Sequence, residues 1–231
     1  MARLGIITGM QFEAALLNAA ARGLSTETRP LVTCCGLGRS AARQAAELAI
    51  AKGATALLSF GIAAGLDPNL SPGAVVTASY VHDGVKALMT DAAWTERLRD
   101  ELSRMSRAAR DHIAHAHEVL MTPADKARVR TQTGAGVADM ESYGIAECAG
   151  AHHLPFATVR VVADTYEDSL PKIAVEATKA DGSVDVVKSI FSAITHPGQI
   201  AELIQLGRRT RIAQQEMRRL ADFGLPRSFF M

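Results

Sequence analysis

The chain is short of cysteine, aromatic residues and net charge, and each shortage excludes something. Cys34, Cys35 and Cys148 are the only cysteines among 231 residues, and they form neither a disulfide framework nor a metal-binding spacing. A reducing compartment is the simplest setting. Aromatics make up only 5% of the chain, so the interior has to be aliphatic. A net charge of +1 exerts little whole-molecule pull on nucleic acid, and no nucleic-acid partner is expected. The best apolar run, Ala54 to Leu66, falls short of the roughly 20 residues of a membrane span. Leu4-Gly5-Ile6-Ile7 after Arg3 imitates the start of a secretion signal, but Gln11 and Glu13 interrupt it and no small-residue cleavage site follows. A cytoplasmic chain is the expectation.

What remains is an ordinary globular balance, 48% apolar and 21% charged. A chain of this size buries roughly 70% of its unfolded surface and needs no covalent staples. With no repeat, low-complexity tract or linker, residues 1–231 read as one domain, 196–231 being a C-terminal helix and tail. Short apolar runs closed by glycine predict strands at 4–8, 31–35, 55–60 (ending in Gly61-Ile62-Ala63-Ala64-Gly65), 74–79, 118–121 and 155–163. Helical spacing predicts helices at 12–22, 40–52, 91–109 with Asp91 as N-cap, 141–153, 184–194 and 198–220. Thr122-Pro123-Ala124-Asp125 starts another. Residues 164–183 read as an irregular candidate lid. Strands alternating with helices predict an α/β three-layer sandwich, its central sheet mixed but mostly parallel and flanked by helices.

In such sheets ligands sit beyond the carboxyl ends of the strands. Glu13 follows the first strand and Gly36-Leu37-Gly38-Arg39 the second. The glycine pair does not make a dinucleotide site: Ala41 stands where a third glycine is needed, and Ser59-Phe60 where the acidic residue should be. An anion at the following helix N-terminus remains physically reasonable. Asp139-Met140-Glu141 and Asp164 stand at later strand ends.

Taken in order, these segments resemble the purine nucleoside and uridine phosphorylase superfamily, especially its methylthioadenosine/adenosylhomocysteine nucleosidase branch. The resemblance runs from residue 4 to about residue 165. Its segments are Leu4 to Glu13, Cys35 to Arg39, Gly61 to Leu66, Leu70 to Val76, Asp139 to Ser142 and Val159 to Asp164. It implies an enzyme that breaks an N-glycosidic bond, without metal or resident cofactor, with phosphate as the conditional co-substrate. Glu13 is then the carboxylate near the nucleophile, and Asp164 the aspartate facing the purine N7 edge. Met140 and Glu141 hold the ribose, and Phe60, Gly61 and Ile62 belong to the substrate-binding set, although Phe60 also reads as plain core. Gly38 and Arg39 are the phosphate or anion candidates. Carboxylates suit this chemistry because an oxocarbenium-like sugar is stabilised by negative charge and the departing base needs a proton. The resemblance also implies a homo-oligomer pairing beside the site.

Two departures matter. Ile62 stands where the nucleosidase branch usually carries a hydroxyl, and Ser59-Phe60 where the bacterial phosphorylase branch usually carries an arginine. Glu13 favours water as nucleophile and Arg39 favours phosphate, so hydrolase and glycosyltransferase both stay open. A narrower resemblance, carried by Asp91-Ala92-Ala93-Trp94, Thr122 to Ala127, Asp139 to Ser142, Ala180 to Val184 and His196-Pro197-Gly198-Gln199, is to the hopanoid-associated phosphorylases. It implies release of adenine from adenosylhopane, a lipid-linked nucleoside, in hopanoid biosynthesis. Arg208, Arg209, Arg211, Arg218, Arg219 and Arg227 oppose only Glu216 and Asp222 in the last helix and tail. A basic amphipathic helix of this kind suits peripheral membrane contact, although a solvated helix packed on the domain fits the same pattern. The alternatives are a methylthioadenosine/adenosylhomocysteine nucleosidase and, in another class, a non-catalytic nucleoside-binding domain. The histidines carry no metal signature.

Overall fold

In the computed structural model, residues 3–106, 108–171, 179, 181–183, 200–227 and 229 are described. The chain forms a mixed α/β fold whose central sheet is covered by helices on both faces. The strands are β1 (Leu4–Thr8), β2 (Leu31–Cys34), β3 (Ala56–Gly65), β4 (Val75–His82), β5 (Ala87–Met89), β6 (Ala108–His115), β7 (Val137–Asp139) and β8 (Phe156–Asp164). Between and after them run α1 (Gln11–Ala20), α2 (Arg39–Ala51), α3 (Ala92–Ser103), α4 (Pro123–Thr133), α5 (Ser142–Ala151) and α6 (Ile200–Arg227). β1 pairs in parallel with β2 and β3, β3 with β8, β4 with β6, and β6 with β7. The antiparallel pairs are β3 with β7, β4 with β5, and β4 with β8.

Side-chain alternation along the strands sorts the core into two layers. Leu4, Ile6, Leu58, Phe60, Val159 and Val161 meet Leu17 of α1, Trp94 and Leu98 of α3, and Met217 and Leu220 of α6. Ile7, Leu57, Phe156 and Val162 meet the alanines of α2 and Ile145, Cys148 and Ala149 of α5. A two-residue period makes this unavoidable: one face of each strand feeds each layer.

Several expectations are corrected. β3 does not stop at Phe60 but runs through Gly61 to Gly65, because β8 lies alongside it with Phe60 opposite Val159, Gly61 opposite Arg160 and Ile62 opposite Val161. The third helix ends at Ser103 rather than 109. Ala108 and Ala109, expected at the end of that helix, instead open β6 because β4 offers a ladder, Val75 opposite Ala108 and Val76 opposite Ala109. Pairing of this sort overrides helix propensity, which is a weak preference. Residues 118–121 form no strand, and β5 adds a short strand that the sequence did not announce. The last helix runs to Arg227. The expected helix at 184–194, the His196-Pro197 break, Ala180 and residues 172–178 of the candidate lid lie outside the described residues. Among those described, no helix is long and apolar enough to cross a membrane.

The caps behave as expected. Asp91 accepts the Trp94 N–H at 2.8 Å, and Thr122 accepts that of Asp125 at 3.2 Å while the Asp125 carboxylate returns to the Thr122 N–H. Replacing Asp91 by Ala removes one such bond at the helix that seats Trp94, a loss of about 1 kcal/mol. Thermal melting should show a drop of about 2–4 °C; an unchanged Tm would mean the cap is dispensable.

Candidate active site

Three carboxylates distant in sequence meet at one cavity of about 170 Å³. Glu13, Glu141 and Asp164 all line it, with Asp139, Met140, Ile62, Leu37 and an aliphatic wall from Val119, Leu120 and Leu170. Glu13 lies in the first turn of α1. Its Oε2 accepts the N–H groups of Gly9 and Met10 at 3.0 and 2.9 Å, capping its own helix. Its Oε1 accepts the Ile62 N–H at 2.9 Å from β3. A group that looks like a helix-surface residue in the sequence is thereby turned inward and buried at 1% exposure. Burial raises its pKa, against the lowering effects of Arg160 and these three backbone donors.

Glu141 precedes α5, and its Oε1 accepts the Gly38 N–H at 3.0 Å. That N–H points inward because Gly38 sits at φ 99°, a conformation that favours glycine. The anion at the start of α2 is thus a carboxylate of the chain itself. Burial and the neighbouring Asp139 push Glu141 up to about 7. Asp139 is locked: Oδ1 accepts the Glu141 and Ser142 N–H groups at 3.1 and 2.9 Å, and Oδ2 pairs with Arg160 Nε at 2.6 Å. Asp164 ends β8, and its carboxyl is raised by burial, against the opposing pull of Lys126.

Arg160 and Lys126 are buried cations beside these carboxylates that the sequence does not single out. Arg160 is 1% exposed in the middle of β8. Its Nη2 donates to Ser59 Oγ at 2.7 Å and to Ser142 Oγ at 2.9 Å. The arginine missing from the end of β3 is therefore supplied by the neighbouring strand, next to Ser59. Gly61 gives it room: a Cβ there would run into Arg160 Nη1 and come within 2.8 and 2.9 Å of the Glu13 oxygens. The signal was present, since an arginine inside Phe156-Ala-Thr-Val-Arg-Val-Val-Ala-Asp164 has to find an anion when that run is buried. Lys126, fully buried behind Asp164, gave no comparable signal on a polar helix.

The remaining sequence candidates lie differently. Met140 and Ile62 line the cavity. Phe60 packs in the core, 5.6 Å from the Phe229 ring centroid. Arg39 is held outside the cavity by Glu147, at 2.8 Å from Nε, and by Asp83 at 3.5 Å, over the Tyr143 ring at 4.3 Å. His115, His117 and Asp83 line a separate hollow that shares Ala116, Glu118 and Leu120 with the cavity. Among the described residues, Glu47, Cys148 and His152 alone place three metal-capable atoms within 4.8 Å of one another, away from the cavity, with His152 on Glu47 at 2.7 Å. In all, the carboxylates of Glu13, Asp139, Glu141 and Asp164 face the cations of Arg160 and Lys126. Arg160 pairs with Asp139 and Lys126 with Asp164, while Glu13 and Glu141 accept backbone N–H groups.

The comparisons with known proteins bear on the family and the fold. A family model described as the phosphorylase superfamily matches residues 3–192. No curated protein matches the sequence. Among solved structures, the fold is similar to a 5′-methylthioadenosine/S-adenosylhomocysteine nucleosidase from Neisseria meningitidis in complex with methylthio-immucillin-A, at TM-score 0.72 and 16% identity, covering 96% of this chain and 98% of that one. It is also similar to the Colwellia psychrerythraea nucleosidase of the same type in complex with adenine, at TM-score 0.64 and 21% identity over 71% and 83%. Futalosine hydrolase of Helicobacter pylori superposes at TM-score 0.68 with 12% identity over 83% and 98%.

Glu141 offers a direct check on the electrostatics. Its folded pKa lies above the ordinary 4.5, so the folded chain holds that proton more tightly than the unfolded one, and stability falls as pH rises from about 4.5 to about 7. Glu141→Gln cannot ionise and still offers an oxygen to Gly38. The variant should be more stable than the parent at pH 8, by on the order of 3 kcal/mol, with the gap closing toward pH 4.5. Denaturant melts at both pH values check this; a gap that widens on acidification would reverse the assignment.

Proposed function

The chain belongs to the phosphorylase superfamily, and we propose that within it the enzyme hydrolyses the N-glycosidic bond of an adenine nucleoside carrying a large 5′ substituent, adenosylhopane foremost. The observation that carries this reading is the meeting of Glu13, Glu141 and Asp164 at one cavity, with Arg160 acting on Glu13 and Glu141. Asp164 gives a proton to purine N7 as the C1′–N9 electron pair moves into the base. Glu141 accepts from the ribose hydroxyls while Met140 packs on the sugar. Glu13, held by three N–H donors, accepts the proton of a water whose oxygen bonds to C1′. The excess of negative charge stabilises the cationic sugar in between.

Water is favoured over phosphate on two grounds. The Gly38 N–H is occupied by Glu141, and Arg39 is spent on Glu147 and Asp83. A phosphate entering here would meet Glu13 and Glu141 with Arg160 already neutralised. The aliphatic wall of Val119, Leu120 and Leu170 supports an apolar 5′ group. The same wall suits a short thioether, so methylthioadenosine/adenosylhomocysteine hydrolysis is the second reading, favoured by the ligands named with the similar structures. For the lipid-linked substrate, the exposed face of α6 adds Arg208, Arg211 and Arg218 beside Ile204 and Ile212. That face suits peripheral contact with anionic lipid.

Adenine release should be measured with adenosylhopane, methylthioadenosine and adenosylhomocysteine, each with and without phosphate. The expected result is release that phosphate does not accelerate; a strict phosphate requirement would overturn the hydrolase. Asp164→Asn should lower kcat by about 10²- to 10⁴-fold without unfolding the chain. Arg39→Ala should stay within about threefold of the parent, as its geometry puts it outside catalysis, and a larger loss would return the phosphate reading to favour. Flotation with anionic vesicles tests the α6 contact, which is dropped if the protein stays at the bottom.

A further inference from the structure

We propose that Lys126 is the positioning residue for the base-side acid: its ammonium holds Asp164 in place and takes up the negative charge that Asp164 acquires on giving its proton. This rests on the reading of Asp164 as the group that faces the purine.

Lys126 lies in the first turn of α4, behind the Thr122 cap, and its side chain is wholly buried. Its ammonium makes an ion pair with Asp164 Oδ2 at 2.5 Å and donates to the Thr165 carbonyl at 2.5 Å and the Asp168 carbonyl at 2.9 Å. The turn that supplies these carbonyls is itself fastened. Asp168 Oδ2 accepts the Thr165 N–H at 2.8 Å, Asp168 Oδ1 pairs with Arg209 of α6 at 2.6 Å, and the Leu170 N–H donates to the Met121 carbonyl at 2.8 Å. A lysine this deep carries a large desolvation cost unless it is matched, and the oxygens its ammonium meets belong to Asp164 and to the turn after it. It does not line the cavity, so it acts on the reaction only through Asp164. Ile62, where the resemblance expects a hydroxyl, brings no side-chain donor to the cavity.

The chemical consequence follows from charge. Asp164 must pass its proton to N7 while the C1′–N9 bond breaks, leaving a carboxylate in a buried place. Burial and Asp168 resist that ionisation; Lys126 and, farther off, Arg209 favour it. Across the cavity stand Glu13 and Glu141, with Asp139 neutralised on Arg160. Lys126 thus makes Asp164 a stronger acid, and the same charge limits the alkaline range over which Asp164 stays protonated.

The test is the pH–rate profile of adenine release for the parent, Lys126→Gln, Lys126→Met and Lys126→Arg, with thermal melting as the folding check. Gln keeps amide donors for the two carbonyls and so carries the test if Met fails to fold. Removing the charge should lower kcat by about 10- to 100-fold, within the range of a general acid's contribution, while KM changes by less than about threefold. The alkaline limb, where rate falls as the acid loses its proton, should move up by about 1–3 pH units, since a close cation lowers a carboxyl by that much. Lys126→Arg should keep the limb in place and recover most of kcat. A limb that stays put in Gln and Met overturns the proposal even if kcat drops, because a purely structural lysine would do that. A parent that releases no adenine from any nucleoside sinks the functional reading itself; an active parent whose variants leave the limb unmoved sinks only this inference.

Discussion

Arg160 places a full positive charge on a strand whose neighbours are valine and alanine, at 1% exposure. A guanidinium taken out of water is tolerable only if its charge is met and its N–H groups are occupied. Asp139 meets the charge, and Ser59 and Ser142 occupy the donors. Three elements are thereby tied to β8: β3 through Ser59, β7 through Asp139 and α5 through Ser142. Removing one partner of such a pair typically costs about 3–5 kcal/mol, so the geometry of the site and the joining of these elements are held by the same contacts.

The carboxylates that line the cavity make sense as the remainder of this arrangement. Asp139 is consumed by Arg160, which leaves Glu13 and Glu141 close to the guanidinium but unable to claim it fully. Both are buried and both hold their protons more readily than in water. On the other side of the cavity Asp164 has its own cation in Lys126. Glu13 and Glu141 on one side and the Asp164–Lys126 pair on the other bracket the cavity. Under the proposed hydrolysis these carboxyl groups flank a sugar that becomes cationic as it reacts.

Much of the fold was legible because it is local. Leu4 to Thr8, the Ala-rich α2, the Asp91 cap and the Thr122-Pro123 start are written in neighbouring residues. The failures share a cause. Gly61 to Gly65 reads as a turn by composition, yet it is strand because β8 pairs with it; Ala108 and Ala109 read as the end of a helix, yet β4 makes them strand. The site divides the same way. Glu13, Glu141 and Asp164 stood out as carboxylates after strand ends in an ordered resemblance that also marked Met140, whereas Lys126 looked like any lysine on a polar helix. Arg39 looked available for an anion because nothing in the sequence announces Glu147 as its partner, 108 positions away.

By itself the sequence determined which segments alternate into two faces, where the caps lie, and that several carboxylates stand just beyond strand ends. Periodicity and capping depend on residues a few positions apart, so one chain displays them directly. Which acid meets which base was decided only by the tertiary structure. Coulomb attraction and desolvation depend on distance and burial, and both are set by how β8, β3 and α4 come together, not by how far apart their residues stand in the chain.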